Sequence, residues 1–216
     1  MSLAPNALTD AATVQARLRL ADGVDTTLIE QLINEASAAI ETFCGRELTY
    51  NAAVSEQVAP MGGPKLLVSR TPLLSIASIT LLFGDSSVVV DPADYAIDDG
   101  DIGTIYRRFG WPWSAQLQEG LNFDRDQQPG TERRTCTVVY AGGYVTEEQS
   151  TDMLPRSLPY DLERACVITA IAYYRGGGRD PTIKQETVGK ASRTYANSVD
   201  MPDQAKEISL RYARWS

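Results

Sequence analysis

Residues Val24–Arg46, VDTTLIEQLINEASAAIETFCGR, carry the clearest periodic pattern in the chain. Apolar residues recur at every fourth position, with others beside them: Leu28, Leu32, Ala36 and Ile40 form the row, and Ile29, Ile33 and Phe43 flank it. This spacing predicts a helix of about five turns with one broad apolar stripe. Such a stripe needs partners to cover it, and the remaining segments are expected to supply them.

The two ends of this helix carry recognisable capping residues. Either Asp25 or Thr27 can cap the start, and Thr27 with Glu30 fits a capping box. Gly45 suits a left-handed cap at the end, and Arg46 follows where a cation favours the helix dipole. The pattern therefore predicts a helix that stops at Gly45.

Length and composition are those of a globular protein. The chain has 216 residues, of which 43% are hydrophobic, and this size suits one domain or one domain with a large insertion. No apolar run approaches the ~18 residues of a membrane span, and the first residues, MSLAPNALTDAA, lack the features of a secretory signal. Cys44, Cys136 and Cys166 lie far apart without a CxxC pair, which predicts free thiols and cytoplasmic synthesis.

The absence of histidine narrows the classes of function. It removes Ser-His-Asp and Cys-His nucleophile systems and His-ligated zinc, although carboxylates, Lys or Tyr could still serve an enzyme. The net charge of −8 argues against a general nucleic-acid binder. Residues 151–216 hold ten basic and eight acidic residues, a net of +2, and form the only net basic segment; residues 1–59 and 60–150 each have a net charge of −5.

Periodicity predicts helices near both ends of the chain and strands between them. The helical segments are Ala11–Leu20, capped by Thr9 or Asp10; a helix that begins at Pro159 and stops at Gly176–Gly178; and Gln204–Trp215, with Ile208, Leu210 and Tyr212 as its apolar residues. The strand segments are Lys65–Ser69, Ser75–Phe83, Val88–Val90, Tyr95–Ile97 paired with Ile102–Arg107 in a hairpin, and Thr135–Tyr140, while Leu48–Gln57 and Thr182–Tyr195 are ambiguous.

This order predicts an α+β fold, in which a small helical bundle from the N- and C-terminal segments carries a mostly antiparallel β-rich insertion. The predicted division places residues 1–59 and 155–216 in the helical core, the latter with a C-terminal arm. Residues 60–154 form the insertion with its long loops.

Five aspartates crowd the middle of the chain: Asp91, Asp94, Asp98, Asp99 and Asp101. A calcium loop is one interpretation, but Asp98-Asp99-Gly100-Asp101 lacks the alternating ligands and closing Glu of an EF-hand. As a general acid/base pair these carboxylates would need a cleft, which a turn does not supply. The pattern favours a solvated acidic hairpin tip.

Two groups of aromatic residues are candidate contacts. Trp111 and Trp113 flank Pro112 and either anchor a partner or cover the core of the β unit. Four residues at the chain end, Arg211, Tyr212, Arg214 and Trp215, suit either a docking tail or simple packing. The sequence leaves both pairs of alternatives open.

Several stretches, taken in order, resemble the head–tail connector (adaptor) proteins of long-tailed bacteriophages. AAIETFCGRELT (residues 38–49) resembles the close of the family's opening helical hairpin, and PLLSIASIT (72–80) its Pro-led strand. VVYAGGY (138–144) is similar to its Tyr-x-Ala-Gly-Tyr strand end with one extra glycine, and PYDLERA (159–165) to its Pro-x-Asp-Leu helix start. Residues 189–195 resemble a Gly-x-x-Ser-x-x-Tyr stretch near its C-terminus. The loop Gln116–Arg134 and the segment Val145–Leu158 depart from the family pattern.

The resemblance implies a structural role without cofactor, metal site or membrane. Family members form a ring beneath the portal of a DNA-filled capsid and extend its channel toward the stopper or tail. The implied partners are the portal protein, a stopper (head-closure) or tail terminator protein, further copies in a closed dodecameric ring, and double-stranded DNA that passes without sequence-specific binding. The implied location is the virion neck, after synthesis in the cytoplasm of the bacterial host.

The resemblance also assigns roles to the candidate residues. The basic C-terminal segment with Arg211, Tyr212, Arg214 and Trp215 would dock on the portal, and the turn with Asp98, Asp99 and Asp101 would face the channel or the next ring. Two alternatives remain. Another neck or tail-completion protein would differ by lacking the portal contact, and a carboxylate enzyme would need a deep pocket with paired carboxylates and a raised pKa on one.

Overall fold

The computed structural model describes residues 2–21, 23–60, 62–83, 86–111, 135–176, 185–188, 191–194 and 201–214. In chain order the elements are α1 (Ala11–Leu18), α2 (Thr26–Cys44), β1 (Asn51–Val58), β2 (Lys65–Leu67), β3 (Leu73–Phe83), β4 (Ser86–Val89), a 3₁₀ turn (Pro92–Asp94), β5 (Tyr95–Asp99), β6 (Thr104–Arg107), β7 (Thr135–Gly142), α3 (Tyr160–Gly176), β8 (Gln185–Val188), β9 (Ala191–Thr194) and α4 (Asp203–Leu210). These helices and antiparallel sheets confirm the predicted α+β fold class.

The chain divides into two compact units. Residues 1–49 together with 144–216 form the helical unit, and residues 50–143 form the β unit. That the helical unit is a connector core and the β unit an insertion stays a prediction. No helix of the described ranges has both the length and the apolar character needed to cross a bilayer.

Helix α2 is the centre of the helical unit, where it packs against α1, α3 and α4. Its buried residues are Ile29, Ile33, Ala36, Ser37, Ile40 and Cys44. The predicted row was wrong at its first position, because Leu28 is 45% exposed. A helix turns 100° per residue, so a strict four-residue row drifts about 40° at each step and leaves the core face. The observed row instead mixes steps of three and four residues.

The ends of α1 and α2 correct several predicted caps. Asp10 does cap α1, since its carboxylate accepts a hydrogen bond from the Thr13 N–H at 2.7 Å. The predicted capping box was wrong, because Thr27 lies inside α2 and Asp25, at the cap position, makes no capping bond. The Asp25 carboxylate instead accepts a hydrogen bond from the Tyr174 hydroxyl at 2.6 Å. Gly45 ends α2 in the left-handed conformation, as predicted.

The last helix is shorter than predicted. Helix α4 ends at Leu210, which is 52% exposed and therefore not part of an apolar face. Ala205 and Ser209 are its buried residues, and Ile208 packs at the margin of the core. The segment Thr182–Tyr195, which the sequence left ambiguous, contains the antiparallel hairpin β8–β9 within the residues described.

The described residues of the β unit form two antiparallel sheets. The four-stranded sheet has the order β1-β7-β3-β4 and the three-stranded sheet the order β2-β6-β5. Their buried side chains form one apolar core: Leu66, Val68, Leu73, Ile79, Leu81, Val90, Ile105, Trp111, Cys136, Val138 and Tyr140. The ambiguous segment Leu48–Gln57 supplies the edge strand β1.

Gly142 in the central strand β7 explains part of the VVYAGGY motif. A β-carbon at this position would lie 2.7 Å from the Arg70 carbonyl oxygen and 3.0 Å from the Tyr140 ring. Only glycine permits this close approach of β7 to the loop before β3. The motif is therefore a packing requirement of the β unit.

Candidate interaction surfaces

Three of the middle aspartates, Asp98, Asp99 and Asp101, lie at the end of β5 and in the turn to β6, whereas Asp91 and Asp94 belong to the 3₁₀ turn before β5. One carboxylate oxygen of Asp99 accepts a hydrogen bond from the Ile102 N–H at 3.1 Å, and its carbonyl accepts one from the Gly103 N–H at 2.9 Å. Asp99 therefore holds the turn together. Asp101, by contrast, is exposed to solvent.

Asp98 is paired, which the sequence did not indicate. Its carboxylate lies 2.7 Å from Lys65 Nζ on β2 and accepts a hydrogen bond from the Thr104 hydroxyl at 3.1 Å. The hydrogen bond from Lys65, followed by that from Thr104, lowers the pKa of Asp98, and the same contact raises the pKa of Lys65. The tip therefore presents less unbalanced negative charge than its composition suggests.

These contacts bear on the metal and enzyme interpretations of the aspartates. Within the residues described, no group of three or more His, Cys, Asp or Glu side chains could hold a metal ion. The enzyme interpretation requires a carboxyl group whose pKa is raised, whereas the pKa of Asp98 is lowered. The calcium-loop and acid/base interpretations gain no support from the hairpin.

Trp111 packs inside the β unit. Its side chain is 2% exposed, its indole N–H donates to the Ile105 carbonyl at 3.3 Å, and the Arg107 guanidinium lies 5.4 Å from its ring. The role of an interface anchor at this position stays a prediction. The alternative interpretation, that Trp111 covers the β core, fits this burial. Trp113 lies outside the described residues.

The described part of the C-terminal segment is tied to the helical unit by its backbone. The Arg214 N–H donates to the Cys44 carbonyl at 2.9 Å, and Arg46 Nε donates to the Tyr212 carbonyl at 3.0 Å. The Cys44 carbonyl lies at the C-terminal end of α2, where carbonyl groups lack partners within the helix, and Arg46 follows directly after that end. The segment therefore continues the packing of α2 instead of leaving the unit as a free tail.

Tyr212 anchors the same segment through its side chain. Its hydroxyl donates to the Asp161 carboxylate at 2.5 Å, and its ring stands edge-on to the Tyr144 ring with centroids 6.2 Å apart. Burial, followed by the hydrogen bond to Asp161, raises the pKa of Tyr212 well above its usual range. Tyr212 is a positioning residue for the chain end.

Arg211 is the exposed member of this group. Its guanidinium lies 3.9 Å from the Asp161 carboxylate, and its side chain remains 70% exposed. An ion pair this long and this exposed contributes little to stability. Trp215, the fourth candidate, lies outside the described residues.

Sequence reasoning missed the residues that hold these surfaces in place. They are Lys65 and Thr104 around Asp98, and Arg46, Tyr144 and Asp161 around Tyr212. The candidate residues also fall into separate groups: Asp98, Asp99, Asp101 and Trp111 belong to the β unit, and Arg211, Tyr212 and Arg214 to the helical unit. The local signals for the residues around Tyr212 were the Gly-Arg at the end of α2, Tyr144 at the end of VVYAGGY, and the Asp at the start of α3.

The fold so described is a helical unit assembled from both ends of the chain, with a contiguous antiparallel β unit between them. No protein-family model matches the sequence, and no curated protein matches it. Solved structures do match its fold. A chain in the neck of an empty gene transfer agent particle, computed with C6 symmetry, aligns with a TM-score of 0.54 at 14% identity over 100% of this chain and 94% of that one.

Two further structures give the same result. A chain in the virion of a native gene transfer agent particle has a TM-score of 0.54 at 14% identity, covering 100% of this chain and 94% of that one. A chain in the neck of a native particle, computed with C12 symmetry, has a TM-score of 0.52 at 15% identity, covering 100% and 93%. At these identities the likeness shows a shared fold along nearly the whole of both chains.

Proposed function

We propose that the chain is a structural protein of a phage-like virion neck, where it forms an adaptor ring between the portal vertex and the stopper or tail. The observation that carries the proposal is the fold shared along the full chain with chains from gene transfer agent necks and virions. The connector-like motifs, which occur in the family's order, support the same role independently of the structure.

The proposed partners are further copies of the chain, the portal protein and a stopper or tail terminator protein. Two of the similar neck structures were computed with C6 and C12 symmetry, which is what a ring of identical chains produces. A closed dodecameric ring requires two different patches on each subunit, because its contacts run head to tail. The chain would be made in the host cytoplasm and end in the virion.

The C-terminal segment is the proposed portal contact. It belongs to the only net basic part of the chain, residues 151–216. Arg211 is exposed enough to reach a partner, while Tyr212 and the Arg214 backbone fix the path of the segment. We therefore propose that Arg211 and Trp215 contact the portal protein. Tyr212 and Arg214 hold the segment in place.

The β5–β6 tip is proposed to face the DNA channel or the next ring. Like charge discourages DNA from adhering to a wall, and the chain carries a net charge of −8. Asp98 and Asp101 are both exposed, but Asp98 is paired with Lys65, and Asp99 holds the turn. Asp101 therefore carries most of this role.

The deciding experiment is electron microscopy of a lysate from a phage that lacks this gene. We expect separate DNA-filled or emptied heads and finished tails, which join when the purified protein is added. Normal infectious particles would contradict the proposed joint.

Cross-linking then separates the adaptor from the alternative, another neck or tail-completion protein. A cross-link from residues near Arg211 to the portal protein supports the adaptor position. Rescue of joining together with cross-links to tail proteins alone would assign the chain to tail completion instead. An active-site role has no specific observation in its favour among the described residues.

A further inference from the structure

The four-stranded sheet of the β unit has two open edges. Its order is β1-β7-β3-β4, and no described strand pairs with the outer side of β1 or of β4. Every neighbouring pair in this sheet is antiparallel. Open edges present rows of unpaired N–H and C=O groups and can pair with another chain.

The outward groups of β4 follow from its register. The Val90 N–H donates to the Ile79 carbonyl at 2.8 Å, and the ladder then continues through Val89 opposite Thr80 and Val88 opposite Leu81. Because antiparallel pairs alternate, Val88 bonds inward to β3, while Ser87 and Val89 direct their backbone groups outward.

Apart from its short length of four residues, β4 lacks the features that usually protect an edge strand. The segment Ser86–Val89 contains no Lys and no Pro, and its pairing with β3 has no bulge. Val88 is 54% exposed and Val89 is 68% exposed, whereas the adjacent Val90 is 3% exposed. Apolar side chains on an unprotected edge indicate a surface that another strand covers.

The same alternation applied across β3 and β7 identifies the outward groups of β1. Val58 pairs with Cys136, which in turn pairs with Leu81. The backbone groups of Leu81 bond toward β4, so those of Cys136 bond toward β1. The backbone groups of Val58 therefore bond inward to β7, and those of Gln57 and Ser55 are directed outward. Ser55 and Gln57 are both exposed.

One row of apolar side chains crosses the whole sheet. It runs Val58, Cys136, Leu81, Val88, and it is buried in the middle and exposed at its β4 end. A strand added beyond β4 would cover Val88. Val58 of a second copy in that position would continue the row with an apolar residue.

Strand direction selects a second copy as the occupant. Four strands that alternate in direction leave β1 and β4 antiparallel to each other. When one copy follows another head to tail, β4 of the first therefore meets β1 of the next in the antiparallel orientation used throughout the sheet. The two edges are also different patches, as a closed ring requires.

We propose that copies of the chain associate by pairing β4 of one subunit with β1 of the next, with Val88 beside Val58 and Val89 opposite Gln57. This inference rests on the proposed ring and adds the surface that makes it. It predicts a contact formed chiefly by backbone hydrogen bonds, in which the side chains of Val88 and Val58 are covered between subunits.

The first test removes one outward donor. Val89→Pro deletes an N–H that does not bond to β3, so the internal ladder survives while the intermolecular one is blocked. Leu67→Pro is the matched control, because Leu67 is a 48% exposed residue on the edge strand β2 of the other sheet. Val89→Lys is a second variant that leaves the backbone unchanged.

The readout is the mass of the assemblies that the full-length chain forms alone and on heads from the gene-deletion phage. Wild type and the control are expected to form rings, and both Val89 variants to remain small, at least tenfold less assembled, with unchanged circular dichroism. Rings formed by Val89→Pro and Val89→Lys would overturn the edge pairing but leave the proposed neck role standing. Wild-type protein that never self-associates and never joins heads would overturn the neck role as well.

The second test is a disulfide between copies. The double variant Val89→Cys with Gln57→Cys is expected to give a ladder of linked oligomers under oxidation, while each single variant gives none beyond a dimer. The native thiols do not interfere: Cys44, Cys136 and Cys166 are buried, and burial raises their pKa to about 11, 11 and 12. A ladder from the control pair Leu67→Cys with Gln57→Cys, and none from the proposed pair, would also overturn the edge pairing.

Discussion

The helical unit and the β unit are held together in different ways. In the helical unit, side-chain hydrogen bonds join segments that are far apart in the sequence, such as Tyr174 to Asp25 and Tyr212 to Asp161. In the β unit, strand ladders join the segments, and side-chain contacts such as the Tyr140–Glu56 hydrogen bond and the Lys65–Asp98 ion pair supplement them.

The difference follows from how each unit is built. The helical unit combines two separate pieces of chain, so contacts between those pieces must fix it, and the C-terminal segment is fixed in the process. The β unit is one continuous stretch, and among the described strands the ladder of its four-stranded sheet ends at the outer sides of β1 and β4. The comparison teaches that contacts between distant pieces of chain fix the helical unit, whereas strand pairing within one stretch fixes the β unit and leaves β1 and β4 as candidate contact strands.

The largest expected effect tests whether the α2 core holds the helical unit. Ile33→Ala removes a fully buried side chain, and we expect it to lower the free energy of unfolding by about 2–5 kcal/mol. Leu28→Ala on the same helix removes a side chain that is 45% exposed, and we expect a change within about 1 kcal/mol. Urea unfolding followed by circular dichroism measures both. Equal effects of the two substitutions would contradict the face assigned to α2.

The next effect concerns the side-chain hydrogen bonds of Tyr140 in the β unit. The Tyr140 hydroxyl donates to Glu56 at 2.7 Å and accepts a hydrogen bond from the Arg70 N–H at 3.0 Å. Tyr140→Phe removes the hydroxyl that bonds to Glu56 and to the Arg70 N–H, and we expect a loss of about 1–3 kcal/mol in the free energy of unfolding. Tyr106→Phe, at a 41% exposed position, is the control and should be neutral. A neutral Tyr140→Phe would show that the ladders alone hold the unit.

The same tyrosine predicts a dependence on alkaline pH. Burial, followed by the hydrogen bond to Glu56, raises the pKa of Tyr140 to about 12. Because the folded-state pKa lies above the unfolded value of about 10, this stabilisation is complete below pH 10 and is lost as the pH rises toward 12. Melting temperatures between pH 8 and pH 11 should fall less steeply for Tyr140→Phe than for wild type. Parallel curves would rule out Tyr140 as the source.

A smaller effect is expected at the chain end. Tyr212→Phe removes the hydrogen bond to Asp161, and we expect a loss of about 1 kcal/mol because the site is only partly buried. Hydrogen exchange should report it most directly, through faster exchange of the Arg214 N–H that bonds to Cys44. Tyr160→Phe, at a 78% exposed position, is the control. Unchanged protection of Arg214 would mean that the backbone contacts suffice.

What the sequence could predict was mostly local. The helix over α2 and its end at Gly45 follow from spacing and a cap, and both were confirmed. The hairpin around the Asp/Gly turn was also confirmed, because its signal lies within thirteen residues. Leu28 was wrongly placed in the buried row of α2, since a four-residue row departs from the helical period, whereas Ile33 and Ile40 of the predicted stripe are buried.

What the sequence could not predict depends on contacts between distant segments. Lys65 and Asp98 meet because β2 and β5 both flank β6, and no local pattern encodes that strand order. The burial of Trp111 and the attachment of Tyr212 to Asp161 have the same origin. The roles proposed for Arg211 and Asp101 stay predictions, because a partner's surface decides them.

The smallest effect on stability is expected at the acidic tip of the β5–β6 hairpin. A substitution there tests whether the tip faces the DNA channel. Asp101→Lys changes an exposed carboxylate, so unfolding should be unaffected and any consequence should appear in DNA passage. Glu148→Lys, also exposed but in the helical unit, changes the net charge of the chain by the same amount and is the matched control. If the tip faces the channel, a ring of repeated lysines would hold passing phosphates, and DNA ejection should slow for Asp101→Lys alone, most strongly at low salt. Equal ejection rates for the two variants would remove the tip from the channel and leave contact with the next ring as its remaining role.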